Sequence, residues 1–320
     1  MFRRSLRSLA AIPVVAVALG ASLLVAPTAT AAAGPVTGLA GVPQPPKTVS
    51  IEWNAYSGFT VDHYEVTLNP GSRFRQVTAS TTSAIFGDLS WSQNYTATVV
   101  AVDGGGTKST PATLDLRGTR LVGSIDPGTA RRGSDTTVSG SLKWRSGSAI
   151  AGAKIVVMRA YYPPPFRSTK FETVGTVTTT KRGNFSLTTP AIRNAQYRVL
   201  YRGEPATEPT VGGWDSNIDL SVTTPIKLRM SPNPASLGSK VRFRGKVQAP
   251  GRYVAGENVR LQRRESGQWK NIKSSLIKAD STYSMTYQPR TTDDHAWRVV
   301  TRRSDFFAPS SSRAKVLVVN

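Results

Sequence analysis

Short runs in which apolar and polar residues alternate constrain this chain more than any other feature. Thr48-Val49-Ser50-Ile51-Glu52-Trp53 sets Val49, Ile51 and Trp53 to one side, and His63-Tyr64-Glu65-Val66-Thr67-Leu68 does the same with Tyr64, Val66 and Leu68. Successive Cβ atoms of a strand point to opposite faces of its sheet, so a period of two predicts half-buried strands. Runs of this kind recur along the chain, separated by turns drawn from 27 glycines and 21 prolines, and no long stretch has helical i, i+3, i+4 spacing. The expected class is all-β, with three tandem β-sandwich domains.

Four residues organise the first of them: Trp53, Tyr64, Leu89 and Tyr95. Leu89 precedes Tyr95 by six residues, and Tyr95 opens the strand-like run Tyr95-Thr-Ala-Thr-Val-Val-Ala-Val. A tyrosine so placed resembles a tyrosine corner, in which the hydroxyl bonds back to upstream backbone. The order Trp, Tyr, Leu-x5-Tyr, then Val-Ala-Val-Asp-Gly-Gly-Gly, resembles a fibronectin type III domain over residues 34–117. The resemblance implies a sandwich and is nearly silent on function, because this scaffold hosts many unrelated roles.

Beyond Leu116 a second kind of unit is read twice. Asp126-Pro127, Ser139-Gly140, Ala151-Gly152, Gly183-Asn184-Phe185-Ser186 and Tyr197-Arg198-Val199-Leu200 recur as Ser231-Pro232, Arg244-Gly245, Ala255-Gly256, Ser281-Thr282-Tyr283-Ser284 and Trp297-Arg298-Val299-Val300. Constant order with a drifting offset is the pattern of duplicated domains with variable loops. The two units, 118–224 and 225–320, resemble immunoglobulin-like or carboxypeptidase-regulatory-like β-sandwich repeats of secreted bacterial surface proteins. Their linkers are short, which implies a semi-rigid string of three.

Residues 1–33 read as a signal peptide: Arg3, Arg4 and Arg7 precede an apolar run from Ala10 to Val25, and Ala29-Thr30-Ala31 and Ala31-Ala32-Ala33 suit cleavage. The expected address is secreted or extracellular, with cell-wall association left open and no transmembrane segment after cleavage. The chain has no cysteine, which excludes disulfides, thiolate metal sites and a thiol nucleophile.

Charge is graded along the chain. Residues 34–117 hold five basic and six acidic side chains, 118–224 fourteen and seven, and 225–320 nineteen and six. A secreted module this positive attracts polyanions. In the last unit basic residues fall on alternating positions, at Lys227 and Arg229 and then at Lys240, Arg242, Arg244 and Lys246, and the period of two puts these last four on one sheet face. That face is the expected contact for an anionic cell-envelope polymer or polysaccharide, against the plainer reading of a solubilising surface. No aromatic-and-basic motif points to nucleic acid specifically, and protein partners are left open.

The middle unit carries Tyr161-Tyr162-Pro163-Pro164-Pro165-Phe166-Arg167 where its sister has a short turn, and Trp214 behind Gly212 and Gly213. Tyr161, Tyr162, Phe166 and Trp214 are candidate surfaces for stacking sugar rings, with Arg167 for an anionic substituent. The alternative is that these aromatics cover the ends of the core, since aromatic bulk usually packs. Asp215, Asn217 and Asp219 fall short of the oxygen set a calcium loop needs. Only His63 and His295 are present, in different units, and no nucleophile motif accompanies either. The expectation is a non-catalytic binding or scaffold protein without cofactor or metal. An accessory role in polysaccharide degradation and a pure spacer are the competing readings.

Overall fold

The computed structural model describes residues 33–44, 47–162, 171–203 and 210–320, with the side chains of Ser216 and Asn217 left aside. Residues 1–32, which hold nearly all of the expected signal peptide, and Phe166 and Arg167 lie outside the described residues. Among those described, no helix is long and apolar enough to cross a membrane.

The first unit is a sandwich of β1 (Ala40–Gln44), β2 (Thr48–Glu52) and β5 (Ser83–Phe86) against β3 (Val61–Asn69), β4 (Arg73–Thr78), β6 (Tyr95–Asp103) and β7 (Ala112–Leu116). The orders are β1-β2-β5 and β4-β3-β6-β7, all antiparallel. Trp53 and Tyr64 meet edge to face at 5.3 Å between centroids, and both are buried. Tyr64 is held by accepting a hydrogen bond from the Tyr56 amide at 2.9 Å. Tyr95 accepts one from the Ser90 amide at 3.0 Å, beside the buried Leu89. The tyrosine corner expected from the sequence is therefore in place.

The second unit pairs β8 (Thr119–Asp126), β10 (Asp135–Trp144) and β13 (Asn184–Pro190) on one side. Opposite lie β9 (Thr129–Arg131), β11 (Lys154–Tyr161), β12 (Glu172–Thr178), β14 (Ala195–Tyr201) and β15 (Gly213–Thr223), ordered β12-β11-β14-β15-β9. The third repeats the plan. β16 (Ile226–Ser231), β17 (Val241–Val247) and β20 (Thr282–Tyr287) face β18 (Asn258–Glu265), β19 (Gln268–Leu276), β21 (His295–Thr301), β22 (Ser310–Ser311) and β23 (Lys315–Leu317). A single turn of helix, α1 (Gly251–Val254), interrupts the strands.

The repeated motifs are now explained by contact. Gly140 lies directly opposite Phe185 in the β10–β13 ladder, and Gly245 lies opposite Tyr283 in the β17–β20 ladder. A Cβ on either glycine would collide with the backbone oxygen of the neighbouring strand, at Val122 or Lys227, and with the aromatic ring that crosses over it. Tyr283 is buried and donates its hydroxyl to the Lys227 carbonyl at 2.7 Å; burial pushes that hydroxyl's pKa well above the usual tyrosine range. On the other sheet, the Arg198 guanidinium stacks on Phe171 at 3.6 Å, and Arg298 stacks on Trp269 at 4.2 Å. These two arginines occupy the same place in each copy.

The residue before the long central strand of each unit performs one task three times. The Asn94 side-chain oxygen accepts the Gly118 amide at 2.8 Å, Asn194 accepts Val222 at 2.7 Å, and Asp294 accepts Val319 at 3.2 Å. Each donor lies two residues past the partner of the next position: Tyr95 with Leu116, Ala195 with Leu220, His295 with Leu317. In every unit an early segment, ahead of β1 in the first and just after the first strand in the other two, also pairs parallel with the last strand or the residues beside it, at Pro35–Thr110, over the three residues of β9 against β15, and at Ala235–Val319.

Loops of one unit dock on the unit before it. Val211, ahead of β15, is fully buried in the first unit's core cluster, and Thr210 bonds the Arg117 carbonyl at 2.8 Å. Likewise, the segment between β21 and β22 reaches the second unit, where the Phe306 carbonyl accepts the Asn194 amide at 2.8 Å and Ala308 donates to Val222 at 2.8 Å. The buried Asn194 also donates its side-chain nitrogen to the carbonyls of Ser304 and Asp305. The cores of the second and third units merge into one apolar cluster.

Candidate functional site

The outer face of the three-stranded sheet in the third unit is built by simple alternation. In β17, Val241, Phe243 and Val247 are buried, while Arg242, Arg244 and Lys246 are exposed; in β16, Ile226 and Leu228 are buried, while Lys227 and Arg229 are exposed. Lys240 stands exposed immediately before β17. The ladder sets Lys227 directly opposite Lys246, and Arg229 directly opposite Arg244. On the other side of β17, Arg242, Arg244 and Lys246 face the hydroxyls of Thr286, Ser284 and Thr282.

Same-face neighbours along a strand are about 7 Å apart and neighbours across the ladder about 5 Å. Like charges in directly opposed positions repel, so this arrangement costs stability instead of supplying it. No ion pair among the described residues relieves it: the carboxylates that form pairs are Asp62, Glu65, Glu172 and Glu265, all elsewhere. The sheet face is the floor of an open depression of ≈ 520 Å³ whose lining also includes Lys278. Asp280 sits close by, its carboxyl held below the usual range chiefly by hydrogen bonds from Thr282, with a lesser pull from Lys278.

Among the described aromatic candidates of the middle unit, Trp214 does not share a surface with Tyr161. Tyr161 is at the end of β11, opposite Ala195, whereas Trp214 is opposite Leu200, at the other end of β14. Five residues along a strand separate them by roughly 17 Å. The Tyr161 ring lies 4.4 Å from the Arg159 guanidinium and 4.5 Å from that of Arg193, and packs on the core cluster beneath the third unit. Its burial raises its pKa. Tyr162 donates to Asp219 at 3.0 Å, and its pKa is raised first by burial and then by that carboxylate. Arg193 also caps Tyr253 at 4.8 Å, so it ties the two units together. Trp214 lies at the junction with the first unit, under the Arg198 guanidinium at 4.9 Å.

Asp215 accepts the Gly123 amide at 2.7 Å, apart from Asp219 and its tyrosine partner. His63 pairs with Asp62 at 2.8 Å in the first unit. Sequence reasoning missed Asn194 and Arg193 because their partners are distant in the chain. It missed Lys278 because that residue follows β19 instead of continuing the alternating pattern.

A comparison of family models matches residues 34–115 to the Fibronectin type III domain. The resemblance carried by Trp53, Tyr64, Leu89 and Tyr95 is thus shown for the first unit, within a chain of tandem β-sandwiches. No curated protein matches the sequence. Among solved structures, the chicken CNTN1 FN1–FN3 domains share 13% identity, covering 90% of this chain and 99% of that one, with a TM-score of 0.22. A tetra-tandem repeat from the extending region of a large adhesion protein shares 14%, covering 89% and 74%, with a TM-score of 0.26. The Yersinia pseudotuberculosis adhesin InvE shares 11%, covering 63% and 58%, with a TM-score of 0.30.

Proposed function

We propose that this is a secreted, non-catalytic binding or scaffold protein that holds an anionic cell-envelope polymer against the outer sheet face of its third unit. One observation carries the reading: six cations, Lys227, Arg229, Lys240, Arg242, Arg244 and Lys246, gather on one face with two like-charged pairs opposed and no acid paired to them. A face that repels itself is stabilised by an added polyanion. Guanidinium groups grip phosphate through paired N–H donors, so the three arginines favour a phosphodiester polymer over a polycarboxylate. The leader-like residues 1–33 support the address, and the fibronectin type III domain supports a binding or spacing role.

The test is co-sedimentation of the purified protein with cell-wall sacculi, with and without their anionic polymers, across a salt series. Binding is expected to disappear when the polymers are stripped. Its logarithm should fall with log salt at a slope of roughly −4 to −5, from about six phosphates each contributing ~0.7–0.9. Retention on stripped sacculi at high salt would overturn the reading.

A further inference from the structure

A second site lies at the junction of the first and second units, where β7 hands over to β8. The first unit contributes Lys47, Asp88 and Trp91, and the second contributes Arg120 and Trp214, around a cleft of ≈ 380 Å³. That volume is in the range of small-ligand sites, which favour junctions between domains.

The cleft is fixed before any ligand arrives. Thr119 donates its amide to the Trp91 carbonyl at 2.7 Å, and Gly118 donates to Asn94 at 2.8 Å. Gly118 passes so close to the backbone of Gln93 that a Cβ would stand 2.7 Å from it, and Val211 plugs the first unit's core beside it. Walls held this way lose little freedom on binding. Two indoles from different units line one space, and the Arg198 guanidinium, itself stacked on Phe171, holds Trp214 at its place.

The polar rim is unspent. Among the described residues, no ion pair and no side-chain hydrogen bond engages Lys47, Asp88 or Arg120, and all three are exposed. Two cations against one carboxylate leave an excess of one positive charge. Indole faces take the C–H face of a sugar ring, a carboxylate accepts its hydroxyls, and the surplus cation calls for an acid on the sugar. The geometry points to this junction as a binding site for an acidic oligosaccharide, seated on Trp214 and Trp91, with its carboxylate at Arg120 and Lys47 and its hydroxyls at Asp88.

The experiment is calorimetric titration of the full chain with oligogalacturonate of four to six residues and with a cello-oligosaccharide of equal length. It is run in a background carrying Arg242→Thr, Arg244→Ser and Lys246→Ser, so that failure of the polymer reading leaves this result untouched. The acidic oligomer should bind at least tenfold more tightly than the neutral one. Trp214→Ala should weaken both by tenfold or more, and Arg120→Glu, at an exposed position without partners, should erase the preference for the acid while keeping the fold. Trp269→Ala, in the third unit, should change nothing. Absence of saturable binding, or binding indifferent to both Trp214→Ala and Arg120→Glu, would overturn the proposal.

Discussion

The outer sheet faces of the second and third units have the same strands in the same register and different chemistry at the positions of the six cations, although the second face has its own opposed pair, Arg120 and Lys143, one step further along. With Gly140 aligned to Gly245, Val122 and Ser124 stand where the third unit has Lys227 and Arg229. Asp135, Thr137, Ser139 and Ser141 stand where it has Lys240, Arg242, Arg244 and Lys246. Beneath these faces the two units agree: a glycine under an aromatic ring, an arginine stacked on an aromatic, and a side-chain oxygen closing the last strand. What the fold demands is kept in both copies. The six cations are not demanded, because a working sheet of the same design has hydroxyls and an acid in their place.

The comparison is sharpened most by moving the second unit's residues onto the third. Lys240→Asp, Arg242→Thr, Arg244→Ser and Lys246→Ser together should lower affinity for anionic sacculi by a hundredfold or more while leaving circular dichroism unchanged and the melting temperature equal or raised. The reverse graft, Thr137→Arg, Ser139→Arg and Ser141→Lys, should give the second unit a salt-sensitive affinity about tenfold above background, measured with the third unit's face silenced. Asp126 and Asp135 stay nearby and hold the gain below that of the natural face. If the graft binds nothing, position within the array matters as well as charge.

The shared features should respond alike in both units. Gly140→Ala and Gly245→Ala should each cost about 1–3 kcal/mol in chemical denaturation, by overpacking against a neighbouring strand. A large loss in one unit only would break the equivalence. The smallest effect concerns pH. Tyr283 has its pKa raised by burial, so its contribution is complete below the unfolded tyrosine value near 10 and is lost as pH rises past it. Tyr283→Phe should cost about 1 kcal/mol at neutral pH through the lost bond to Lys227, and should flatten the alkaline decline of the third unit.

Residues whose role is set by a neighbour two positions away were legible. Period two placed Val241 and Phe243 inside and Arg242 and Arg244 outside, and the Leu89–Tyr95 spacing located a corner closed within a few residues. The Gly140 and Phe185 motifs were visible as repeats, but their pairing was not, since 45 positions of sequence separate residues that touch. Asn194 was invisible altogether. It is one polar residue whose partners lie 28, 110 and 111 positions away, and nothing in its surroundings sets it apart from a turn asparagine. Tyr161 and Trp214 were legible as aromatics in two long loops, but their distance was not, and only the register of β14 shows them at opposite ends of the unit.

The parallel pairing of an early segment of each unit with the end of the same unit bears on how the chain answers a pull. When neighbouring strands are parallel and lead to opposite ends of a domain, tension along the chain slides one past the other, so their hydrogen bonds bear load together instead of opening one by one. The second unit has three such pairs, between β9 and β15, the third joins residues 235–237 to 318–320 by three backbone hydrogen bonds, and the first has the Pro35–Thr110 bridge among its described residues. Tension along the chain therefore meets sheared pairings in the second and third units, where several hydrogen bonds share the load.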